Sequence, residues 1–380
     1  MGKLGKFAAA CAAVVVGFTA SAETLTVTCE AVGGGSVDAA SKTVESGGTV
    51  SFTATPESGK ELYAWFGTPP DCTTRLEMTV VISNVTENLS LTARFGTPYY
   101  VEDCNAASDA SGYGLTPAQP LRTPAYAAAN APEYSICHLK GTFKPTARIE
   151  IRRPVRLSGE GVDATVLSGS AIGTTTQMVL IDHADAILDG VKFVDLVFKV
   201  NTTAYHCYGA AVDLLQGLLS DVLVYKCSYS GFMDHAMIAN RGGTVVNAEV
   251  DSCTGAGFYN NYGISYCQTS GYAVNCYFHG CSAVASHGNV YISGGTVDRC
   301  RIVGNGILAP LSNAGNHNSG AGVCMEGGLL VNSLIADNVA QEATAGVYLN
   351  GSCVVSNCTI VGNLCLNEAR QPLAIATLAA

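Results

Sequence analysis

Small or apolar residues recur at fixed positions in six nine-residue stretches of this chain. These are "LSDVLVYKC" (219–227), "VVNAEVDSC" (245–253), "AVNCYFHGC" (273–281), "VDRCRIVGN" (297–305), "LVNSLIADN" (330–338) and "VSNCTIVGN" (355–363), which start 26, 28, 24, 33 and 25 residues apart. Self-similarity at such a spacing is the mark of a solenoid, in which each unit buries its face only against its neighbours. Positions four and six of the frame hold pairs such as Val222 and Val224, Cys276 and Phe278, and Cys300 and Ile302. Residues two apart share one face of a strand, so these face the core, and positions five and seven face out. Position nine reads Cys227, Cys253, Cys281, Asn305, Asn338 and Asn363. Asparagine there suits a left-handed turn, and stacked amides can bond one another along the solenoid axis. An upstream strand recurs as "AVDLLQG", "VYISGG", "VCMEGG" and "VYLNGS". The pattern predicts two strands per coil joined by a glycine turn, with a third in the longer intervals. Parallel ladders with right-handed connections make a right-handed β-helix the best solution.

Ahead of the repeats the pattern differs. "LTVTCEAV" and "GTVSFTATP" alternate as half-buried strands, glycine-rich stretches punctuate them, and "LSLTARF" closes a small β domain over residues 23–96. The stretch "VSFTATPESGKELYAWFG" followed by "ISNVTENLSLTARF" resembles the internalin B-repeat type of bacterial surface module. That resemblance implies a core position for Trp65 and a role as a spacer in secreted or cell-surface proteins. Cys29 and Cys72 could pair in this module, although the family does not need the bond. Residues 97–143, with "YYVEDCNAASDASGYGLTPAQPLRTPAYAAANAPEYSICHLKGTF", resemble the opening cap of bacterial right-handed β-helix proteins, including a Thr-Pro turn and a short capping helix. Some relatives bind calcium near such a loop, but Glu102, Asp103 and Asp109 lack a full ligand spacing. "IEIRRPVRLSGEG" then looks like a first regular coil. The chain from there on is similar to the pectin-lyase-like superfamily and to polymorphic outer-membrane protein repeats.

Composition narrows the address. The opening "MGKLGKFAAACAAVVVGFTASA" has Lys3 and Lys6, an apolar run and a small-x-small site, and reads as a secretory signal peptide over residues 1–22. No other segment is apolar for about 20 residues, so no membrane span is expected. The formal charge of -10 becomes -12 without Lys3 and Lys6, which argues against nucleic acid as a partner. Sixteen cysteines less Cys11 leave fifteen, an odd number. Strands in register stand about 4.8 Å apart with parallel Cα–Cβ vectors, whereas a disulfide wants converging Cβ atoms about 3.8 Å apart. The cysteine ladders are therefore expected to be mostly reduced core packing.

Candidate chemistry lies at the outward positions. Three consecutive coils offer Glu249, Asp251, Tyr277, His279 and Arg301 as neighbours. The pectin-lyase-like resemblance implies acids and an arginine on one outward face. Glu249 and Asp251 could serve as acid and base or hold a cation, Arg301 could bind a uronate, and Tyr277 could stack on a sugar. The competing reading is a solvated strand face. The polygalacturonase-like aspartate pairs are absent; "SHGN" around His287 and "RIVG" at Arg301 only echo that family. The cysteines lack CxxC pairs, so no metal site is expected from them, and calcium is the one cofactor the acids would suit. A second outward stripe, Tyr291, Cys324 and Tyr348, could dock a ligand.

Taken together, the sequence predicts an all-β protein: a right-handed parallel β-helix solenoid (144–365) behind a small β domain, with a C-terminal tail (366–380). The expected function is binding or adhesion to glycan or protein from a secreted or cell-surface position. The alternative is a polysaccharide lyase or glycoside hydrolase. An uncapped last coil would expose strand edges, which makes self-association through it a further expectation.

Overall fold

The computed structural model describes residues 23–200, 208–231, 235–257, 263–283, 288–307, 320–341, 344–366 and 375–377. The signal-peptide expectation and His287 lie outside them. From Ile136 onward the chain winds into a parallel β-helix built from four rows of short strands, with every pairing between successive coils parallel. One coil shows the plan: Val290–Ile292, Thr296–Asp298, Arg301–Val303 and Gly306–Ile307 each pair with their counterparts one coil before and after. The sequence pattern had suggested two or three strands per coil. The nine-residue frame in fact contains a corner, and its two halves belong to different rows.

The corners explain the difference. Position three (Asp221, Asn247, Asn275, Arg299, Asn332, Asn357) has φ between 52 and 56°, and position eight (Lys226, Ser252, Gly280, Gly304, Asp337, Gly362) between 50 and 68°. These are left-handed residues, a conformation that asparagine, aspartate and glycine adopt at least cost. Position nine was expected to supply that turn and does not: it points inward. Asn305 and Asn338 are buried, and each accepts on its side-chain oxygen from the backbone N–H of position nine in the preceding coil, at 3.1 and 3.0 Å. Asn363 continues the ladder, accepting from the Asn338 N–H and Nδ2 at 3.0 and 2.8 Å. The amide stacking read from the sequence is therefore present, one residue beyond the turn.

Lower in the helix the same place is filled by Cys227, Cys253 and Cys281, all buried and free. Hydrogen bonds with Cys227 and Cys281, together with burial, push the Cys253 thiol far up, and burial alone pushes Cys137 up to about 12. Such groups stay protonated and act as small apolar packing. Cys29 and Cys72 are likewise unpaired and buried. Cys267 is disulfide-bonded. It stands outside the main core, in a separate cluster with Ala236, Ala239, Tyr291 and Cys324.

The N-terminal module is two small sheets. In one, Ser41–Glu45, Thr24–Val32, Leu89–Gly96 and Glu61–Phe66 lie side by side; in the other, Gly35–Val37, Val50–Pro56 and Thr79–Ile82. Val27, Phe52, Trp65, Val80 and Leu91 fill the space between, and the Trp65 indole donates to the Glu77 carbonyl at 2.8 Å. The chain then adds Pro98–Glu102 to the ladder and caps it with the helix Pro124–Asn130. Asp109 organises that cap by accepting from the Arg122 and Thr123 N–H groups at 2.9 and 3.0 Å. Glu102 and Asp103 pair with Lys140 and Arg122, so all three loop acids are committed to protein groups.

The module does not stand off as a spacer. It folds back along the flank of the helix, where Tyr63 and Ala64 pack on Ile187, Leu218, Val246 and Val274 from four successive coils. Arg156 fastens the contact: it pairs with Asp189 at 2.8 and 3.0 Å and donates to the carbonyls of Leu62 and Tyr63 at 3.2 and 3.0 Å. Tyr63 is fully buried and its hydroxyl donates to the Asp185 carbonyl. Further along, Arg299 donates to the Asp71 carbonyl at 2.9 Å. Between module and helix a cavity of about 360 Å³ is lined by Phe66, Arg75, Gln216 and Thr244. At the other end, Val354, Val361, Leu364 and Leu366 are 48–54% exposed on a coil beyond which only the strand Ile375–Thr377 is described.

Candidate functional site on the outward strand face

The third strand row carries the outward positions five and seven. Glu249 of one coil lies beside Tyr277 of the next, which lies beside Arg301 of the third; Asp251 lies beside His279 in the same register. Their inward neighbours Val250, Phe278 and Ile302 are fully buried, which fixes the backbone beneath the site. The structure therefore brings together all five residues named from the sequence.

Their side chains make one connected group. His279 Nε2 stands 2.8 Å from a Glu249 carboxylate oxygen, and Nδ1 stands 3.5 Å from Asp251. Ser252 donates to the same Asp251 oxygen at 2.7 Å. The imidazole stacks on Tyr277 with centroids 3.9 Å apart and 18° between planes, while the Arg301 guanidinium lies over the Tyr277 ring at 4.2 Å. Two groups that close to one centroid cannot share a face, so both faces of Tyr277 are taken. The expectation that Tyr277 stacks on a sugar is corrected accordingly: only its edge and hydroxyl remain to a ligand.

The other proposed stripe also changes meaning. Tyr291, Cys324 and Tyr348 do alternate away from the main core, but Tyr291 is only 3% exposed and Cys324 is fully buried. Tyr291 donates to Glu326 at 2.6 Å within the cluster that contains Ala236, Ala239 and Cys267, and Tyr348 packs against it. An open tyrosine stripe is thus replaced by a covered secondary core. Sequence reasoning missed a different group on the third row, where Tyr225 has Lys192 and Lys226 over its ring at 4.7 and 4.9 Å. Tyr225 was legible as an outward residue. Lys192 was not, because it precedes the first clear copy of the frame.

The fold and this face define a parallel β-helix protein with a flank-docked β module and an open, polar strand face. Residues 25–97 match the family model of the divergent InlB B-repeat domain. No curated protein and no solved structure matches the chain. Among the described residues no helix is long and apolar enough to cross a membrane.

Proposed function

We propose that this is a surface-displayed or secreted binding protein that presents its third strand row to a glycan or protein and does not turn its ligand over. The observation that carries this reading is the closure of Glu249 and Asp251 onto one imidazole. A glycosidase or lyase needs an acid and a base set around a scissile bond. Here both carboxylates face His279 on an open strand face, while cavities of about 360 and 310 Å³ lie elsewhere, one between module and helix and the other beside the cap segment. What the face offers is a row of cations and hydroxyls: Lys192 and Lys226 around Tyr225, then Arg301 beyond Tyr277. Groups already ordered by aromatic contacts lose little freedom on binding. The B-repeat match supports the surface setting.

The test is to incubate the mature chain with acidic and neutral polysaccharides, with and without calcium, following both retention on the polymer and new reducing or unsaturated ends. Retention that falls in Arg301→Ala and Lys226→Ala, without product, supports binding. Product formation abolished by Glu249→Gln or Arg301→Ala overturns it in favour of the enzyme.

A further inference from the structure

The cluster Glu249, Asp251 and His279 contains one donor set that adhesion does not use. One ligand atom from each of the three residues lies within 4.8 Å of the others. Glu249 and Asp251 share one strand and His279 lies on the next, so ladder register makes the three residues neighbours on one face. We propose that these three side chains bind a borderline divalent transition-metal ion, of which Zn²⁺ is the representative, with the remaining coordination positions open to water or to a ligand.

The argument begins with the imidazole. A neutral histidine has one N–H and one lone pair. Here Nε2 faces a Glu249 oxygen at 2.8 Å and Nδ1 faces an Asp251 oxygen at 3.5 Å. Two carboxylates gathered on one ring repel each other, and a cation among them, a second proton on the imidazole or a metal ion in its place, offsets that repulsion. Among the described residues neither carboxylate has an arginine or lysine within ion-pair distance. The nearby basic side chains, Arg301 and Lys226, lie over Tyr277 and Tyr225. The site therefore gathers two carboxylates and a nitrogen donor with no arginine or lysine paired to them among the described residues.

Preorganisation is the second part. The ring of His279 is fixed by its stack on Tyr277, itself held by Arg301. Ser252 holds Asp251 from outside, in the manner of outer-shell groups that orient metal ligands. Donor atoms around a zinc ion with bonds of about 2.05 Å stand about 3.3 Å from one another. Glu249 and His279, 2.8 Å apart at Nε2, would part by about half an ångström to admit the ion, and Asp251, 3.5 Å from Nδ1, would swing toward the Nε2 edge to join them. Three protein ligands leave an open position, as in zinc sites that bind a further group. The mixed nitrogen and oxygen set also selects: calcium and magnesium take oxygen ligands and gain little from an imidazole, whereas zinc uses both.

The metal reading stands apart from the adhesion reading, since it is tested on the protein alone. Zn²⁺ would be titrated into the reduced, chelator-stripped full chain against a chromophoric competitor, and Co²⁺ would be added in parallel to record its absorption spectrum. The expected result is one saturable Zn²⁺ equivalent, weakened at least about tenfold in His279→Ala and in Glu249→Gln. Calcium and magnesium in large excess should not displace it, and the Co²⁺ spectrum should lack thiolate charge transfer. Absence of saturable binding would overturn the proposal. So would affinity unchanged in both variants, equal competition by calcium, or a thiolate band that assigns the ion to a cysteine. Asp251→Asn, at a position 24% exposed, serves as a third variant should His279→Ala lose its β spectrum.

Discussion

Replacing Arg156 by alanine should loosen the module from the helix without unwinding distant coils. The guanidinium makes two bonds to Asp189 and one each to the carbonyls of Leu62 and Tyr63, and both charged side chains are nearly buried, at 12 and 10% exposure. Removing it leaves Asp189 with the Ser158 hydroxyl as its side-chain donor among the described residues, at 2.9 Å, and strips two carbonyls of their partner. Breaking one side of a buried ion pair costs about 3–5 kcal/mol. The apolar contacts of Tyr63 with Ile187 and Leu218 survive, so the module should stay folded and sample an undocked state more often. Hydrogen exchange is the assay. Amides of Glu61–Phe66 and Ile187–Asp189 should lose protection by roughly a hundredfold to a few thousandfold, the same energy expressed as an opening constant. Amides of Arg301–Val303, several coils away, should not change. Substituting both partners, as Arg156→Met with Asp189→Leu, should restore much of the loss, because no unpaired charge remains. A uniform loss of protection along the helix, or a local change under about threefold, would refute the claim that this pair fastens the module.

Three further outcomes follow from the same structure. Asn338→Ala removes an acceptor for the Asn305 N–H and Nδ2 and a donor to the Ile302 carbonyl, all buried, and should lower stability by about 2–4 kcal/mol in denaturant titration. Among the described cysteines, Cys104, Cys353 and Cys358 should react first with an alkylating reagent in the native chain, as the half-buried ones; burial holds Cys137, Cys300 and Cys324 protonated until the fold opens, which mass spectrometry of labelled peptides would show. Glu150 is held below the usual carboxylate range by hydrogen bonds from Arg152 and Arg148, so its contribution is present above the unfolded-state value of about 4.3 and is lost as pH falls through the lower folded value; the acid limb of the unfolding profile should flatten slightly in Glu150→Gln, the effect being small because the group is part-exposed.

The solenoid was legible because burial leaves its mark at a fixed spacing. Val224, Val250, Phe278 and Ile302 stack in one line of the core, and their recurrence at position six is a direct print of that line. The corners were harder. Residues such as Lys226, Arg299 and Ser252 take a left-handed conformation for which their side chains give no signal, and only the asparagines and glycines at equivalent positions betray it. The docked module was hidden for another reason. Its seat on the helix is made of outward residues, Val246 and Val274, each next to an inward residue in the frame, so the apolar run reads as core on both counts. A doubled apolar pair at the same frame position in consecutive coils was the available clue. Which residues adjoin on the outward face was legible, because register alone determines it. Whether those side chains reach a ligand or each other depends on rotamers, and the Tyr277 stack could not be seen in a string of letters.

The amide ladder at position nine has a consequence for how such a chain can change length. Each rung accepts from the backbone of the coil before it, so a whole turn copied from corner to corner arrives with its own acceptor and finds a donor waiting. A partial turn arrives with neither. The molecule can therefore be lengthened or shortened by counting in whole coils, and surplus residues must be carried in the bends, where no rung is interrupted. The unequal intervals between copies of the frame, from 24 to 33 residues, are the record of that arithmetic.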